Sequence, residues 1–431
     1  MSTVAEVRLW GTTIGAVSLE DNAEVATFQY EPAFVRGGIQ LAPLTMPLSN
    51  RVYSFPTLAR ETFHGLPGLV ADSLPDRFGN ALVNAWLATQ GRTPESFNAV
   101  ERLCYTGTRG MGALEFHPAS GPVSRNAKRI QVDKLVELAS EILSHRSNLK
   151  VSFAGNKRAD ALNDILRVGT SAGGARAKAV IAWNPKTGEV RSGQVKADIG
   201  FEYWLLKFDG VSGNCDKETD DPKGYGAIEY AYYRMASDAG VIMSESRLLE
   251  ENRRRHFMTR RFDRGDDQKL HMQSLCAMSH FDYNMARAYS YEQALQVIRQ
   301  LELPMSAVEQ MFRRMVFNII ARNQDDHVKN IAFLMDRSGN WSLAPAFDMI
   351  YSFQPSGKWT SSHQMTLNGK DDGFTLDDFK ACAKTVTMKR GRAEAIVHDV
   401  RETVSRWSEY ADEAKVYPRQ RDKIRKTLRL T

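Results

Sequence analysis

The apolar period changes part-way along this chain, and that change restricts the fold more than any other feature. Through the first part, stretches such as "EVRLWGTTIGAVSL", "VATFQY" and "GALEFHPAS" have strand length, with Gly and Pro in the connections. Within that part, "LPGLVADSLPDRFGNALVNAWLATQG" takes a helical period after Pro75-Asp76 and stops at Gly91. From Lys134 to His145, "KLVELASEILSH" is a connecting helix with Leu135, Leu138, Ile142 and Leu143 on one face. From about Tyr291 onward helical periods dominate. The strongest is "MSAVEQMFRRMVFNIIARN", where Val308, Met311, Phe312, Met315, Val316, Ile319 and Ile320 form one stripe. Strands first and helices later predict an α+β fold rather than an alternating βαβ one, and no fixed-period repeat competes with that reading. At 431 residues the chain exceeds one typical core, so two or three lobes are expected.

Composition removes several function classes. No apolar run approaches the roughly 18 to 20 residues that span a bilayer. "MSTVAEVRLWGTTIGAV" has no basic segment followed by an apolar one, so neither a membrane protein nor export is expected, and a cytoplasmic location is. Cys104, Cys215, Cys276 and Cys382 lie far apart without CxxC pairing, which argues against a zinc site or a disulfide framework. The formal net charge of +6 is compatible with nucleic-acid contact and with phosphorylated substrates, and selects neither.

Directly after the apolar stripe comes "RNQDDHVKN", residues 322 to 330. Asp325 and Asn330 have the spacing of a kinase catalytic loop, in which the Asp accepts the substrate hydroxyl proton and the Asn holds magnesium. Magnesium takes oxygen ligands shared between carboxylates and phosphates, so a second carboxylate on another segment is required. Asp348, after Phe347 in "LAPAFDMIYS", stands where a kinase carries it, although the literal DFG triplet is absent. Taken alone, the stretch also suits a solvated loop capping a helix, or a metal-hydrolase centre on Asp325, Asp326 and His327.

Other parts fall in a mechanistic order. "DILRVGTSAGGARAKAVIAWNPKTGEV" reads as a strand start, a Gly-rich turn, then a strand paired with "VRSGQVKA". The Gly-rich turn is neither a Walker A loop nor GxGxxG, and by itself equally suits a hairpin. Lys178 adds a charge that could reach a phosphate. Lys207 is an isolated ammonium in the apolar strand "EYWLLKFDG", either snorkelling to water or held for phosphates, with Glu229 on the helix "YGAIEYAYYRMASDAG" as its ion-pair partner. "RHFMTRRFDR" is a further strand. Gly-rich turn, strand lysine, helix glutamate, Asp-x4-Asn and metal Asp is the order of parts in a kinase.

With these residues in view, the chain resembles the HipA-like serine/threonine kinases, the toxins of bacterial toxin–antitoxin pairs. The resemblance is carried by "NQDDHVKN", "LAPAFDMIYS", "TSAGGARAKA", "WLLKF", "TRRFDR" and "GLVADSLPDRFGNALVNAWL". It implies a bilobal protein-kinase-like fold: an N-terminal module over 1–120, a nucleotide-binding lobe over 121–262 and a helical catalytic lobe over 263–431. It implies Asp325 as general base, Asn330 and Asp348 as Mg2+ ligands, and His327 and Lys329 as supports for loop and phosphate. Lys207 would hold ATP phosphates, with Phe347 also at the nucleotide. Gly173, Gly174, Ala175, Arg176, Ala177 and Lys178 would cover them, and Arg260, Arg261 and Phe262 would form a hinge contacting adenine. Ser171 would be autophosphorylated, ejecting the loop and silencing the enzyme, with Thr170 as a competing site. The implied target is an aminoacyl-tRNA synthetase, glutamyl-tRNA synthetase first, with persistence as the outcome. The implied partner is a helix-turn-helix antitoxin that represses its operon, so that operator DNA is met through that complex. Arg176-Ala177 departs from the Gln with Glu or Pro that many relatives carry. A rival reading is a silent pseudokinase serving as co-repressor.

Overall fold

The structure is a computed structural model of the chain, and it describes residues 2–121, 129–144, 165–166, 168–169, 176–194, 198–211, 223–265 and 268–430. Thr170, Ser171, Gly173, Gly174, Ala175 and Cys215 lie outside the described residues. The expected α+β class is observed, in two compact units. The first takes Met1–Ile39, Leu48–Gly226 and Glu245–His271, and the second Gln40–Pro47, Ala227–Ser244 and Met272–Thr431.

Two antiparallel five-stranded sheets build the first unit. Strands β1 (Thr3–Leu9), β2 (Thr12–Leu19), β3 (Thr27–Tyr30) and β4 (Val52–Ser54) form a meander. Strand β5 (Leu114–His117) adds to the other edge of β1, giving the order β4-β3-β2-β1-β5. Alternation sets the faces: Ala5, Val7 and Leu9 of β1 are buried, while Glu6 and Arg8 pair at 2.8 Å on the other side. Helix α1 (Arg77–Thr89) starts where Pro75-Asp76 predicts, because the Asp76 carboxylate accepts from Gly79 N–H at 2.6 Å. Trp86, partly buried, packs against Phe97 and Tyr105 at the edge of the core of this module.

The second sheet contains β6 (Lys178–Trp183), β7 (Val190–Ser192), β8 (Glu202–Lys207), β9 (Ser246–Glu251) and β10 (Arg254–Arg260) in the order β7-β6-β8-β10-β9. Helix α2 (Val132–Ser144) and α1 pack on it. Phe78 and Leu82 of α1, Leu135 and Ile142 of α2, Ile181 of β6 and Trp204 of β8 share one apolar core, which joins residues on both sides of position 120. One expectation is corrected here. "DILRVG" reads as a strand start, yet residues 165–166 and 168–169 are helical. Leu162, Ile165, Leu166 and Gly169 recur at intervals of three and four, the helical spacing, and Ile165 and Leu166 join the core.

A buried histidine makes this unit acid-sensitive. His256 of β10 is fully buried, and its Nδ1 accepts the Asp209 N–H at 2.9 Å. Burial pushes His256 down to about 4 and His271 down to about 3. The unfolded chain binds these protons first, near pH 6.5. The stabilisation is therefore complete above that value and lost as pH falls toward 4, each histidine contributing on the order of 3 kcal/mol. The thermal midpoint is expected to drop steadily between pH 7 and 5. A flat profile over that range contradicts the assignment.

In the second unit, α3 (Tyr225–Asp238) enters from the boundary and its chain turns at Gly240, with φ of 79°. Helices α4 (Tyr291–Gln300), α5 (Met305–Ile320), α6 (Leu376–Thr385), α7 (Arg392–Ser405), α8 (Trp407–Glu413) and α9 (Pro418–Arg425) follow. The predicted stripe is buried in full: Val308, Met311, Phe312, Met315, Val316, Ile319 and Ile320 all face inward from α5. Of α9 only Ile424 is buried, as for a surface helix. Strands β11 (His271–Ser274), β13 (Ala332–Met335) and β14 (Trp341–Leu343) form one small sheet, while β12 (Tyr289–Ser290) pairs in parallel with β15 (Met365–Thr366).

Candidate active site

The site grows from the end of α5. Arg322 takes a left-handed φ of 58°, which breaks the helix and turns the chain into the polar stretch. Asn323 locks the turn: its N–H donates to the Asn318 carbonyl at 2.9 Å and its Nδ2 to Asn318 Oδ1 at 2.9 Å. A short 3-10 turn, Val328–Asn330, then leads into β13.

Much of the polar stretch is buried, which speaks against the solvated loop that the stretch taken alone also suits. Asn323, Gln324 and Asp326 are almost fully inaccessible. Asp326 Oδ2 accepts from Tyr291 Oη at 2.5 Å and from His363 Nδ1 at 2.7 Å, and Oδ1 accepts from Gln364 N–H at 2.8 Å. On the far side of the imidazole, Arg429 Nη1 lies 2.9 Å from His363 Nε2. An arginine can only donate, so Nε2 accepts and Nδ1 carries the proton given to Asp326. Burial acts to raise the Asp326 pKa, but His363, Tyr291 and the Gln364 N–H together hold it below the usual carboxylate range. Burial and the facing carboxylate raise Tyr291 well above an ordinary phenol. With both oxygens occupied, Asp326 is an anchor and not a metal ligand, which removes the metal-hydrolase centre on Asp325, Asp326 and His327.

Its neighbour has the opposite environment. The Asp325 side chain is 45% exposed. Its Oδ1 accepts from Trp359 Nε1 at 2.7 Å, with His327 Nε2 at 3.8 Å, and among the described residues Oδ2 accepts no hydrogen bond. Asn330 Nδ2 donates to the Asp325 carbonyl at 2.9 Å, which orients the amide and leaves its oxygen turned from that bond. Asp348 is brought beside this loop, its own carbonyl lying 3.4 Å from Asn323 Nδ2. The strand leading to it is anchored where Ala346 N–H donates to Ile242 O and Arg314 to Ala344 O. Asp348 has a left-handed φ of 53°, a conformation Asp tolerates better than most residues. Phe347 beside it is half-buried. Lys329 sits over the Tyr283 ring at 5.0 Å, and Tyr283 faces His327 at 5.5 Å. The donors of Asn330 and Asp348 are an amide and a carboxylate oxygen, a set that fits a hard cation completing its shell with phosphate and water oxygens.

In the first unit, the structure redistributes the expected nucleotide contacts. Lys207 is buried and pairs across the sheet with Lys178 of β6 and Phe257 of β10. Lys178, expected to reach a phosphate, instead faces Asp76 at 3.4 Å, with both side chains nearly inaccessible. Arg176 lies over the Tyr225 ring at 3.4 Å, and Ala177 is buried. Arg260 is exposed near Glu245. Arg261 is buried, its guanidinium paired with Asp263 at 2.7 Å, so that side chain is committed to structure rather than to adenine. Phe262 lies in the turn between them. Glu229 is buried on α3.

The pattern of polar anchors under a half-exposed aspartate can be set beside known proteins. The family model described as HipA-like C-terminal domain matches residues 170–407, which include Lys207, Asp325, Asn330 and Asp348. The chain belongs to the HipA-like family. The HipA N-terminal domain matches residues 5–117. A putative kinase of Haemophilus influenzae is 30% identical to this HipA-like chain over 136 residues, covering 28% of it and 40% of that relative's length. A chain of the Shewanella oneidensis MR-1 toxin–antitoxin complex of HipA, HipB and operator DNA has the same fold. The TM-score is 0.67 at 15% identity, over 98% of this chain and 94% of that one. Among the described residues no helix is long and apolar enough to cross a membrane. Reading the sequence did not find Tyr291, Trp359, His363, Gln364 or Arg429. The one signal for them was a tryptophan set among small polar residues in "SGKWTSSHQ".

Proposed function

We propose that this HipA-like chain is an ATP- and magnesium-dependent serine/threonine protein kinase. The observation that carries the reading is the contrast between adjacent aspartates. Asp326 is buried and fully hydrogen-bonded, while Asp325 offers an open oxygen beside Asn330 and the Asp348 segment. Magnesium, when bound, supplies charge neutralisation at the phosphates of ATP. Asn330 and Asp348 are the residues that would hold it. Asp325 receives the proton of the attacking hydroxyl, Lys207 is assigned to the phosphates, and His327 and Lys329 brace the loop. The anchored end of α5 keeps these groups in place, so the rate gain comes from positioning and electrostatics.

The finer roles follow the family. The acceptor is a translation component, an aminoacyl-tRNA synthetase such as glutamyl-tRNA synthetase, and its modification inhibits growth and promotes persistence. The partner is a helix-turn-helix antitoxin, with operator DNA met through that complex, in the cytoplasm. Phosphorylation of Ser171 places a dianion beside the ATP phosphates and silences the enzyme.

Incubation with γ-labelled ATP and magnesium tests the activity. Label transferred to protein supports the kinase, and removing magnesium with a chelator is expected to abolish the transfer. No transfer by wild type or by Ser171→Ala across divalent metals favours the silent co-repressor. In an active preparation, Ser171→Ala is expected to lose most self-labelling, and phosphate located elsewhere by mass spectrometry contradicts the silencing role.

A further inference from the structure

The candidate base has a neighbour that no motif announced. Trp359 lies between Asp348 and His363, in a segment with four serines. Its Nε1–H donates to Asp325 Oδ1 at 2.7 Å, the oxygen that His327 also approaches. A carboxylate turning about its last torsion can exchange its two oxygens, since that torsion is broad and two-fold. Fixing one oxygen removes the exchange and aims the other.

The tryptophan is itself held from below. Its carbonyl accepts from Gln364 Nε2, and the Gln364 N–H donates to Asp326 Oδ1 at 2.8 Å. The buried aspartate thus grips Gln364, Gln364 grips Trp359, and Trp359 grips the exposed aspartate. The indole also meets His327 edge-on, with centroids 6.4 Å apart, and His327 leans on Tyr283. Two rings, those of Trp359 and His327, thus approach Asp325 Oδ1.

We infer that Trp359 is the positioning residue for Asp325, holding Oδ1 so that Oδ2 faces the hydroxyl that loses its proton. The inference rests on the kinase reading. In the step, the hydroxyl oxygen bonds to the γ-phosphorus while the bond from that phosphorus to the bridging oxygen breaks. The electron pair leaves with ADP, and the hydroxyl proton passes to Oδ2. Trp359 keeps its proton throughout and touches no reacting atom.

Trp359→Phe tests this, because it keeps a ring in place and removes the N–H. Self-phosphorylation is measured under single-turnover conditions across ATP concentrations, beside the thermal midpoint. The rate at saturating ATP is expected to fall about ten- to a hundredfold, the loss of one hydrogen bond to a charged group. The half-saturating ATP concentration is expected to change by less than about twofold. A variant as fast as wild type, or faster, overturns the inference while leaving the kinase reading in place. So does a rate loss that comes only with a matching rise in half-saturation and a fall in thermal midpoint, the mark of a packing role. An activity-independent readout separates the contact from the chemistry. The Trp359 indole N–H resonance, assigned by its loss in Trp359→Phe, is expected to move in Asp325→Ala, and an unmoved resonance overturns the contact. Wild type that transfers no phosphate, with the resonance shift intact, overturns the kinase reading and the positioning role that depends on it.

Discussion

Asp325→Ala is expected to fold normally and to transfer phosphate at least about a hundredfold more slowly than wild type, the scale of a lost general base. The side chain is 45% exposed, and its one close hydrogen bond comes from an indole that is itself only partly buried. Stability should therefore change by less than about 1 kcal/mol, as for most exposed positions. Circular dichroism and a thermal scan check the fold, and labelled ATP checks the rate. Transfer near the wild-type rate removes Asp325 from the role of base.

Asp326→Ala, one residue further on, is expected to fail in the other way. Its carboxylate is inaccessible and holds Tyr291 Oη, His363 Nδ1 and the Gln364 N–H. Removing it strands three buried donors, with Arg429 still pressing on the imidazole. Leaving a buried donor without its acceptor costs about 1 to 3 kcal/mol, so three of them add up to a large fraction of a domain's stability. Urea unfolding measures it. A variant as stable as wild type means that the network adds nothing and that the loop is held by other means. The pair of variants also separates chemistry from architecture, since adjacent aspartates are assigned opposite failures.

How far the sequence led depends on the range over which each feature is written. The α5 stripe was legible because Val308 through Ile320 repeats at the helical interval, and all of it is buried. The start of α1 was legible because the Asp76 cap acts on a residue three positions away. Asp325, Asn330 and Asp348 were picked out by spacing and order, and the structure brings them to one loop system. The rest is non-local. Asp326 also suits a solvated loop in sequence because Tyr291, the adjacent His363 and Gln364, and Arg429 lie far from it along the chain, and no period links them to it. Lys178 looked like a phosphate ligand because it follows a Gly-rich turn, whereas Asp76, which it meets, belongs to a distant helix start. Residues 165–166 and 168–169 read as a strand start because a short apolar run suits strand and helix alike.

The central claim is that Asn330 and Asp348 share one divalent cation with the phosphates of a nucleotide beside Asp325. A crystal structure with magnesium and a non-hydrolysable ATP analogue tests it directly. The account predicts one ion within about 2.1 Å of an oxygen from each of the two residues and of phosphate oxygens. An ion bound without either residue, or a nucleotide seated away from this loop, contradicts it.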